Sequence, residues 1–453
     1  MKRLFGTDGI RGEAGKFPLD PATLEIVGAS LANRLAAKLG RTPLLVIGRD
    51  TRESGQSLEQ SLQIGARRAG ADSKAVGIMT TPGVAYLTRT LPADAGVVIS
   101  ASHNAYQDNG IKIFAPSGRK LDDETERLIE RDIFSQSEYP ASGSGKSSAF
   151  TPVAEANEMR ARYLDFLARD ISRGLSLTGI RLVLDCANGA ASTIAPELFE
   201  RLSANVTVIN NTPDGRNINL GCGSLHTEAL QHEVARQQAD LGVAFDGDAD
   251  RALFVDAHGR LIDGDASLWI LARYLRARHE LKLDTVVATV MSNLGLELAF
   301  QSAGIKLVRT DVGDKYVLEE LLRLGASLGG EQSGHIIFPE TSLAGDGLIT
   351  TIGILQAMAA SSKPLHDLTD GLQTFPQILI NVPVKVKRPF AEVPKIQTAA
   401  DELEATLGSR GRLLLRYSGT ESLARIMIEG ESQSEIEQQA DELASLIQEE
   451  LGA

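Results

Sequence analysis

The stretch Gly96-Val97-Val98-Ile99-Ser100-Ala101-Ser102-His103-Asn104-Ala105-Tyr106-Gln107-Asp108-Asn109-Gly110-Ile111-Lys112-Ile113-Phe114 changes character in its middle. Residues 96–99 are a short apolar run of the kind a buried strand makes. The residues that follow are mostly small and polar. A strand end reads this way when its loop presents side chains to a ligand at the carboxyl edge of an open α/β sheet. Ser102 adjoins an imidazole, His103, and two amides, Asn104 and Asn109, with the ammonium of Lys112 a few residues on. A polar hairpin between two strands would read the same way, because a lone Ser-His pair is common by chance.

Working outward, residues 43–48 read as a strand, Ser54 as the N-cap of an amphipathic helix reaching about Gly70, and residues 74–78 as a returning strand. Downstream, Asp122, Asp123 and Glu124 open a helix to about Phe134, with acids at its positive end. Strand and helix alternating in this way make a mostly parallel sheet covered by helices. Residues 135–152 carry Ser, Gly, Pro and Ala without periodicity and mark a linker. Within it, Gly145-Lys146-Ser147 imitates a nucleotide-binding loop. That loop needs Gly where this chain has Pro140, and a helix starting at its Lys-Ser; the nearby Thr151-Pro152 opposes such a helix.

The plan then returns. A helix near 154–171 leads into a strand over 179–185, and Asn188-Gly189-Ala190-Ala191 turns into another helix. A strand over 285–290 precedes a helix from Asn293. The last segment differs, with strands at 377–382, 412–416 and 424–428 and helices near 394–407 and 433–449, a small α+β unit. The expected architecture is three similar α/β domains with mixed, mostly parallel sheets plus a smaller C-terminal α+β domain. The divisions fall at 1–150, 151–253, 254–370 and 371–453.

At 453 residues the chain can bury several cores. Its 43% hydrophobic and 23% charged content is that of an ordinary soluble globular protein. A net charge of −13 argues against a nucleic-acid surface, which would show a basic patch. It does not argue against an anionic substrate, because local arginines and backbone N–H groups set that affinity. Cys186 and Cys222 are too few for a disulfide framework and suggest a reducing compartment. Residues 1–8 lack the apolar core of a signal peptide, and no run approaches the roughly 20 apolar residues that cross a bilayer. The expectation is a cytoplasmic protein with neither nucleic acid nor membrane as partner.

Four further motifs carry chemistry. Asp246-Gly247-Asp248-Ala249-Asp250-Arg251 sets three carboxylates at alternate positions after the strand 241–245. Hard oxygen ligands so dense suit Mg²⁺ or Ca²⁺. An EF-hand loop would need Gly and Glu where this chain has Arg251 and Ala257, so the pattern favours Mg²⁺ bridging to a phosphoryl group. A solvated acidic turn is the plain alternative. Glu331-Gln332-Ser333-Gly334-His335 offers carboxylate, amide and hydroxyl groups to a sugar's hydroxyl and amino groups, and could equally be a surface turn. Arg416-Tyr417-Ser418-Gly419-Thr420-Glu421, with Arg425 downstream, has the donors a phosphate dianion wants, or is an Arg-rich turn. Phe5-Gly6-Thr7-Asp8-Gly9-Ile10-Arg11-Gly12 is a glycine-rich turn with one Arg, which alone could be a hairpin.

Ser-Ala-Ser-His-Asn followed by Asp-Asn-Gly-Ile-Lys resembles the phosphoserine loop of the α-D-phosphohexomutases, and the other four motifs resemble theirs, in family order, across nearly the whole chain. The resemblance implies that Ser102, not Ser100, carries a phosphoryl group. It implies one Mg²⁺ per chain on Asp246, Asp248, Asp250 and an oxygen at Ser102. Arg11 and Arg251 would face the reacting phosphate, with Lys112 and His335 as acid/base candidates. Glu331 and Ser333 would contact the sugar, and Arg416, Ser418, Gly419, Thr420 and Arg425 would hold a phosphate. Gln332 and the Gly6-Thr7-Asp8-Gly9 opening resemble members acting on glucosamine phosphates; glucose and mannose members more often have Met at the position of Gln332. Ala105, Tyr417 and Ser422 replace the family's usual prolines, which removes rigidity but no donor.

The implied fold is four domains around a central cleft, and the implied assembly a monomer or homodimer. The implied reaction interconverts glucosamine 6-phosphate and glucosamine 1-phosphate for UDP-N-acetylglucosamine synthesis. Glucosamine 1,6-bisphosphate would be both intermediate and activator, turning end for end between transfers. A phosphoglucomutase or phosphomannomutase would use the same chemistry. A non-catalytic sugar-phosphate binder would not need the nucleophile, and a simple phosphatase would not need the second phosphate loop.

Overall fold

The computed structural model describes residues 3–136, 151–418 and 422–452. The opening stretch forms two antiparallel strands, Ala95–Ile99 and Asp108–Phe114, with Ile99 opposite Ile111. The connection is shorter than the dozen or so residues a parallel crossover needs, so the chain turns straight back. Ala95–Ile99 also pairs in parallel with Leu44–Arg49, and that strand with Asp72–Ile78, the crossovers being the helices Gly55–Arg68 and Thr81–Thr90. Gly9–Glu13 and Phe5–Gly6 complete a six-stranded sheet. Leu45, Ile47, Val97, Ile99, Ile111 and Ile113 pack in one core with Leu24, Leu31, Leu58 and Leu62 from two helices.

The second sheet has five strands, in the order Leu261–Ile262, Ala252–Asp256, Leu241–Phe245, Arg181–Asp185, Asn205–Ile209. Its last two strands in sequence run past the expected division at 253. The third has four, in the order Lys306–Thr310, Thr285–Thr289, Gly329–Gly330, Ile336–Ile337. These three sheets are mixed, as expected. In each, three adjacent strands are parallel and the antiparallel strands lie to one side. The final sheet, Gln377–Pro383, Leu423–Glu429, Arg412–Tyr417, is wholly antiparallel. Helix Gln433–Leu451 lays a stripe of Ile436, Ala440, Leu443, Ile447 and Leu451 into that sheet's core, the spacing of an amphipathic helix.

Contacts divide the chain into two compact units, Met1–Met291 with Lys306–Asp370, and Ser292–Ile305 with Gly371–Ala453. Ser292–Ile305 joins the C-terminal segment because its helix start is tied there: Leu294 N–H donates to Glu429 at 3.2 Å, Asn293 Nδ2 to the Phe375 carbonyl at 2.9 Å and Arg412 to the Ser292 carbonyl at 3.0 Å.

One local expectation is corrected. Ser54 precedes the helix Gly55–Arg68 but does not cap it, since its own backbone is already helical. Its hydroxyl accepts instead from Asn109 Nδ2 at 2.9 Å. Gly145-Lys146-Ser147 and most of the expected linker lie outside the described residues. Among the described residues no helix is long and apolar enough to cross a membrane. Both cysteines are free and buried.

Candidate active site

Ser102 is 1% exposed and has a left-handed φ of 52°. That backbone value turns the hydroxyl out of the strand direction onto Asp246, whose Oδ2 accepts its hydrogen bond. The Ser102 N–H donates to Ser100 Oγ at 2.9 Å, and His103 Nδ1 lies 3.3 Å from Ser102 Oγ. Burial, with Arg251 and Arg11 nearby, brings the His103 imidazole down to about 4, so it is neutral at pH 7.

Asp246, Asp248 and Asp250 are all buried, and one carboxylate oxygen of each lies within 4.8 Å of the others. Gly247 joins them because the Ser102 carbonyl packs onto it: a Cβ there would sit 2.4 Å from that oxygen. The metal loop and the seryl loop are thus in backbone contact. Burial together with Asp250 and Asp248 pushes the Asp246 carboxyl well up, the mark of negative charge lacking enough countercharge. Asp248 Oδ1 and Asp250 Oδ1 are buried without a hydrogen-bond partner. Hard oxygen donors, crowded charge and orphaned lone pairs fit a divalent cation.

Lys112 is 1% exposed, with Nζ 2.9 Å from Asp248, 3.1 Å from Asp250 and 3.1 Å from Asp8. Burial opposes its charge, but these carboxylates hold it well above the ordinary lysine range. It is therefore a fixed ammonium here, suited to hydrogen-bonding and offsetting negative charge rather than to giving up its proton. His335 has Nδ1 3.5 Å from Asp250 and Nε2 3.7 Å from Asp314. Burial opposes its charge, yet Asp250, Asp314 and Glu331 pull it up to about 9.

Arg11 donates to Asn104 Oδ1 at 3.3 Å and pairs with Asp8. Arg251 Nε is 3.8 Å from Asp250, and its backbone N–H donates to Asp246 at 3.2 Å. Lys120 closes the far side, 2.7 Å from Asp8 and 2.6 Å from Asp314. A cavity of about 420 Å³ opens beside Lys112, Asp250, His335, Lys120 and Asp314.

Ser102, Lys112, Arg11, Arg251, His335 and the three aspartates therefore form one cluster. The Glu331 loop adjoins it, the Glu331 N–H donating to the His335 carbonyl at 3.0 Å. Glu331 accepts from Gly313 N–H at 3.2 Å and from Ser333 Oγ at 3.4 Å. Gln332 turns away: its amide donates to Asp263 at 3.2 Å, and its carbonyl accepts from Gly264 N–H at 2.9 Å.

In the second unit, Arg416 stands opposite Arg425 in the final sheet, and Arg425 donates to Ser418 Oγ at 3.4 Å. Tyr417, in place of the usual proline, stacks on Phe390 with centroids 4.3 Å apart, and its hydroxyl donates to the Arg388 carbonyl. Gly419 and Thr420 lie outside the described residues.

Sequence reasoning missed several groups. Asp50 and Arg52 are buried beneath the seryl loop and paired at 2.9 Å. Asn219 donates to the Ser102 carbonyl at 2.9 Å. Thr81 Oγ1 donates to Asp248. Asp8, Lys120 and Asp314 tie the first sheet to the third. Only Arg49-Asp50-Thr51-Arg52, a charged run directly after an apolar strand, gave a signal comparable to the one used at Ser102.

Four family models match in order: Phosphoglucomutase/phosphomannomutase alpha/beta/alpha domain I over residues 2–140, domain II over 161–259, domain III over 263–375 and the C-terminal domain over 379–446. The chain is 48% identical over 451 residues to the phosphoglucosamine mutase of Solibacter usitatus, covering 100% of this chain and 99% of that protein. It is 44% identical over 452 residues to that of Syntrophus aciditrophicus, covering 100% of each. A phosphoglucomutase/phosphomannomutase family protein from Burkholderia thailandensis shares the fold, with TM-score 0.80 and 24% identity over 98% of this chain and 97% of that one. So does the N-acetylphosphoglucosamine mutase of Aspergillus fumigatus solved with GlcNAc-6P and magnesium, with TM-score 0.65 and 19% identity over 98% and 95%.

Proposed function

The chain belongs to the phosphoglucomutase/phosphomannomutase family, and within it we propose that this protein interconverts glucosamine 6-phosphate and glucosamine 1-phosphate. It is an isomerase, an intramolecular phosphotransferase. Full-length identity of 44–48% to phosphoglucosamine mutases supports the substrate. The observation that carries the chemistry is the Ser102 hydroxyl held on Asp246 beside two more buried aspartates.

Labour divides by segment: the nucleophile in 1–150, the metal aspartates in 151–253, the sugar loop in 254–370 and the second phosphate loop in 371–453. Phosphorylated Ser102 gives its phosphoryl group to the free sugar hydroxyl, and positioning and electrostatics supply most of the acceleration in such transfers. Asp246, Asp248 and Asp250 would hold one Mg²⁺, which neutralises charge on the phosphoryl oxygens when bound. Arg11 and Arg251 offset the charge that remains. Lys112 and His335 are the acid/base candidates: the proton lost by the attacking hydroxyl is balanced by one gained at Ser102 Oγ, and the Lys112 ammonium and the His335 imidazole hydrogen-bond to the oxygens whose charge changes. Glu331 and Ser333 take sugar hydroxyl or amino groups. The Arg416–Arg425 loop holds whichever phosphate is not reacting while glucosamine 1,6-bisphosphate turns end for end. The same bisphosphate primes Ser102. The setting is the cytoplasm, with the chain acting as a monomer or homodimer in the supply of UDP-N-acetylglucosamine.

A coupled assay comparing glucosamine, glucose and mannose phosphates tests this reading. One amine–carboxylate contact contributes on the order of 1.5–3 kcal/mol, so kcat/KM should favour glucosamine phosphates roughly 10- to 150-fold over glucose phosphates. Equal efficiency would move the protein to the hexose mutases. Chelation should stop turnover, and added Mg²⁺ should restore it.

A further inference from the structure

Arg52 and Asn219 reach the seryl loop from different domains. Arg52 follows the strand Leu44–Arg49 and is 1% exposed. Its Nη2 donates to the carbonyls of Ser102 at 3.0 Å and Asn104 at 2.8 Å, and its Nη1 to those of Ala105 and, at 3.0 Å, Asp108. Asp50 holds the guanidinium Nε at 2.9 Å and also accepts from Ser100 Oγ at 2.6 Å, the hydroxyl that receives the Ser102 N–H. Asn219 lies between two strands of the second sheet, Asn205–Ile209 and Leu241–Phe245. Its Nδ2 donates to the same two carbonyls, Ser102 at 2.9 Å and Asn104 at 3.0 Å.

A carbonyl oxygen has two lone pairs, and at Ser102 and Asn104 both are engaged, one from each domain. A buried guanidinium must have its donors satisfied. Here four of the acceptors are carbonyls of the seryl loop, so the burial of Arg52 and the path of that loop depend on each other. Ala105 stands where a proline would have stiffened the loop, and its carbonyl is among those Arg52 holds.

We propose that Arg52 and Asn219 are positioning residues that clamp the carbonyls on either side of His103 and so aim Ser102 Oγ during phosphoryl transfer. The proposal rests on the reading of Ser102 as the phosphoryl carrier. It goes beyond that reading by assigning the aim of the nucleophile to a side chain on the metal-bearing domain.

The test is Asn219→Ala, a partly exposed site, with Arg52→Lys, which keeps a charge against Asp50 but loses the planar fork. Displacing a reacting group by about 1 Å can cost about 10²-fold. Asn219→Ala should lower kcat roughly ten- to a hundredfold, with KM within about threefold and an unchanged melting temperature. Arg52→Lys should lower it further. The double variant should fall well short of the product of the single losses, because both residues hold the same carbonyls. Amide hydrogen exchange of residues 100–107, measured on the full chain without substrate, should rise at least roughly tenfold in Asn219→Ala and stay unchanged in the sheets. Unchanged kcat in Asn219→Ala overturns the proposal, as does a kcat loss matched by exchange rising throughout the chain. A wild-type protein inactive on glucosamine phosphates would overturn the proposed function instead; exchange in the 100–107 loop then decides the clamp alone.

Discussion

Two loops at strand ends carry the phosphate chemistry proposed here, and they are held in opposite ways. The loop after Ala95–Ile99 rests mostly on buried groups: Asp50, Arg52 and Ser100 below it and Gly247 pressed against the Ser102 carbonyl, with the half-buried Asn219 beside it. Among the described residues of the segment at Arg416–Arg425, two contacts involve partly exposed groups. Tyr417 stacks on Phe390, and the exposed Lys387 donates to the Ser418 carbonyl. A group that makes and breaks a bond must be placed to a fraction of an ångström. A group that accepts either of two phosphates needs positive charge and donors more than a fixed path. The contrast in support matches a contrast in task.

The sharpest way to break the comparison is Ser102→Ala. If this loop alone carries the transferred group, the variant should lose at least about 10³-fold in kcat while melting as the wild type does, because the methyl group fits where the hydroxyl stood. Intact mass and phosphopeptide mapping should place any phosphate on Ser102. Phosphate on Ser100, or near-normal turnover, would remove the basis for treating the two loops differently.

A smaller effect is expected from Gly247→Ala, which touches no reacting group. The new methyl would lie 2.4 Å from the Ser102 carbonyl, and neither backbone can give way cheaply. The seryl loop must then shift, and kcat should fall roughly ten- to a hundredfold with the three aspartates intact. Retained Mg²⁺ activation, read from the metal dependence of the residual rate, would separate loop displacement from loss of the cation. Wild-type kcat would mean that the seryl loop has slack comparable to the C-terminal one.

What the sequence made legible follows from where each interaction is encoded. Strands over 241–245 and 285–289 were readable because they are continuous apolar runs, and Asp246, Asp248 and Asp250 because one loop supplies all three donors. The cap expected at Ser54 failed because a long-range partner, Asn109, took its hydroxyl. The extent of the parallel pairing also depended on a local detail, the shortness of the loop between Ile99 and Asp108. Asn219 was invisible for a related reason: its partner lies 117 positions away, and nothing in its own neighbourhood indicates a carbonyl to be held. Gln332 marks a subgroup by resemblance, yet its side chain is bonded to Asp263, so whatever it contributes to sugar choice passes through the placement of Glu331 and Ser333. Local chemistry can be read in order along a chain, whereas second-layer support depends on the finished fold.

The smallest effect should come from the other side of the comparison. If Arg416 holds whichever phosphate is not reacting, it grips substrate, product and the bisphosphate between them, and its removal loosens all three. Comparing kcat/KM in the two directions would test nothing, because the overall equilibrium fixes that ratio whatever the substitution does. The informative quantity is escape of the intermediate. Each premature escape leaves Ser102 without its phosphate and the enzyme unable to begin another cycle. Arg416→Ala should therefore raise KM, release more glucosamine 1,6-bisphosphate per turnover and require more added bisphosphate to stay active. A charge-assisted contact contributes about 1.5–3 kcal/mol, so the loosening should be at least roughly tenfold. A partly exposed support should also let neighbouring donors such as Arg425 take up some of the load, keeping the loss far below that of Ser102→Ala. Unchanged KM with unchanged bisphosphate dependence would show that this loop does not hold the far phosphate, and the tolerance inferred from its exposed supports would then have no functional meaning.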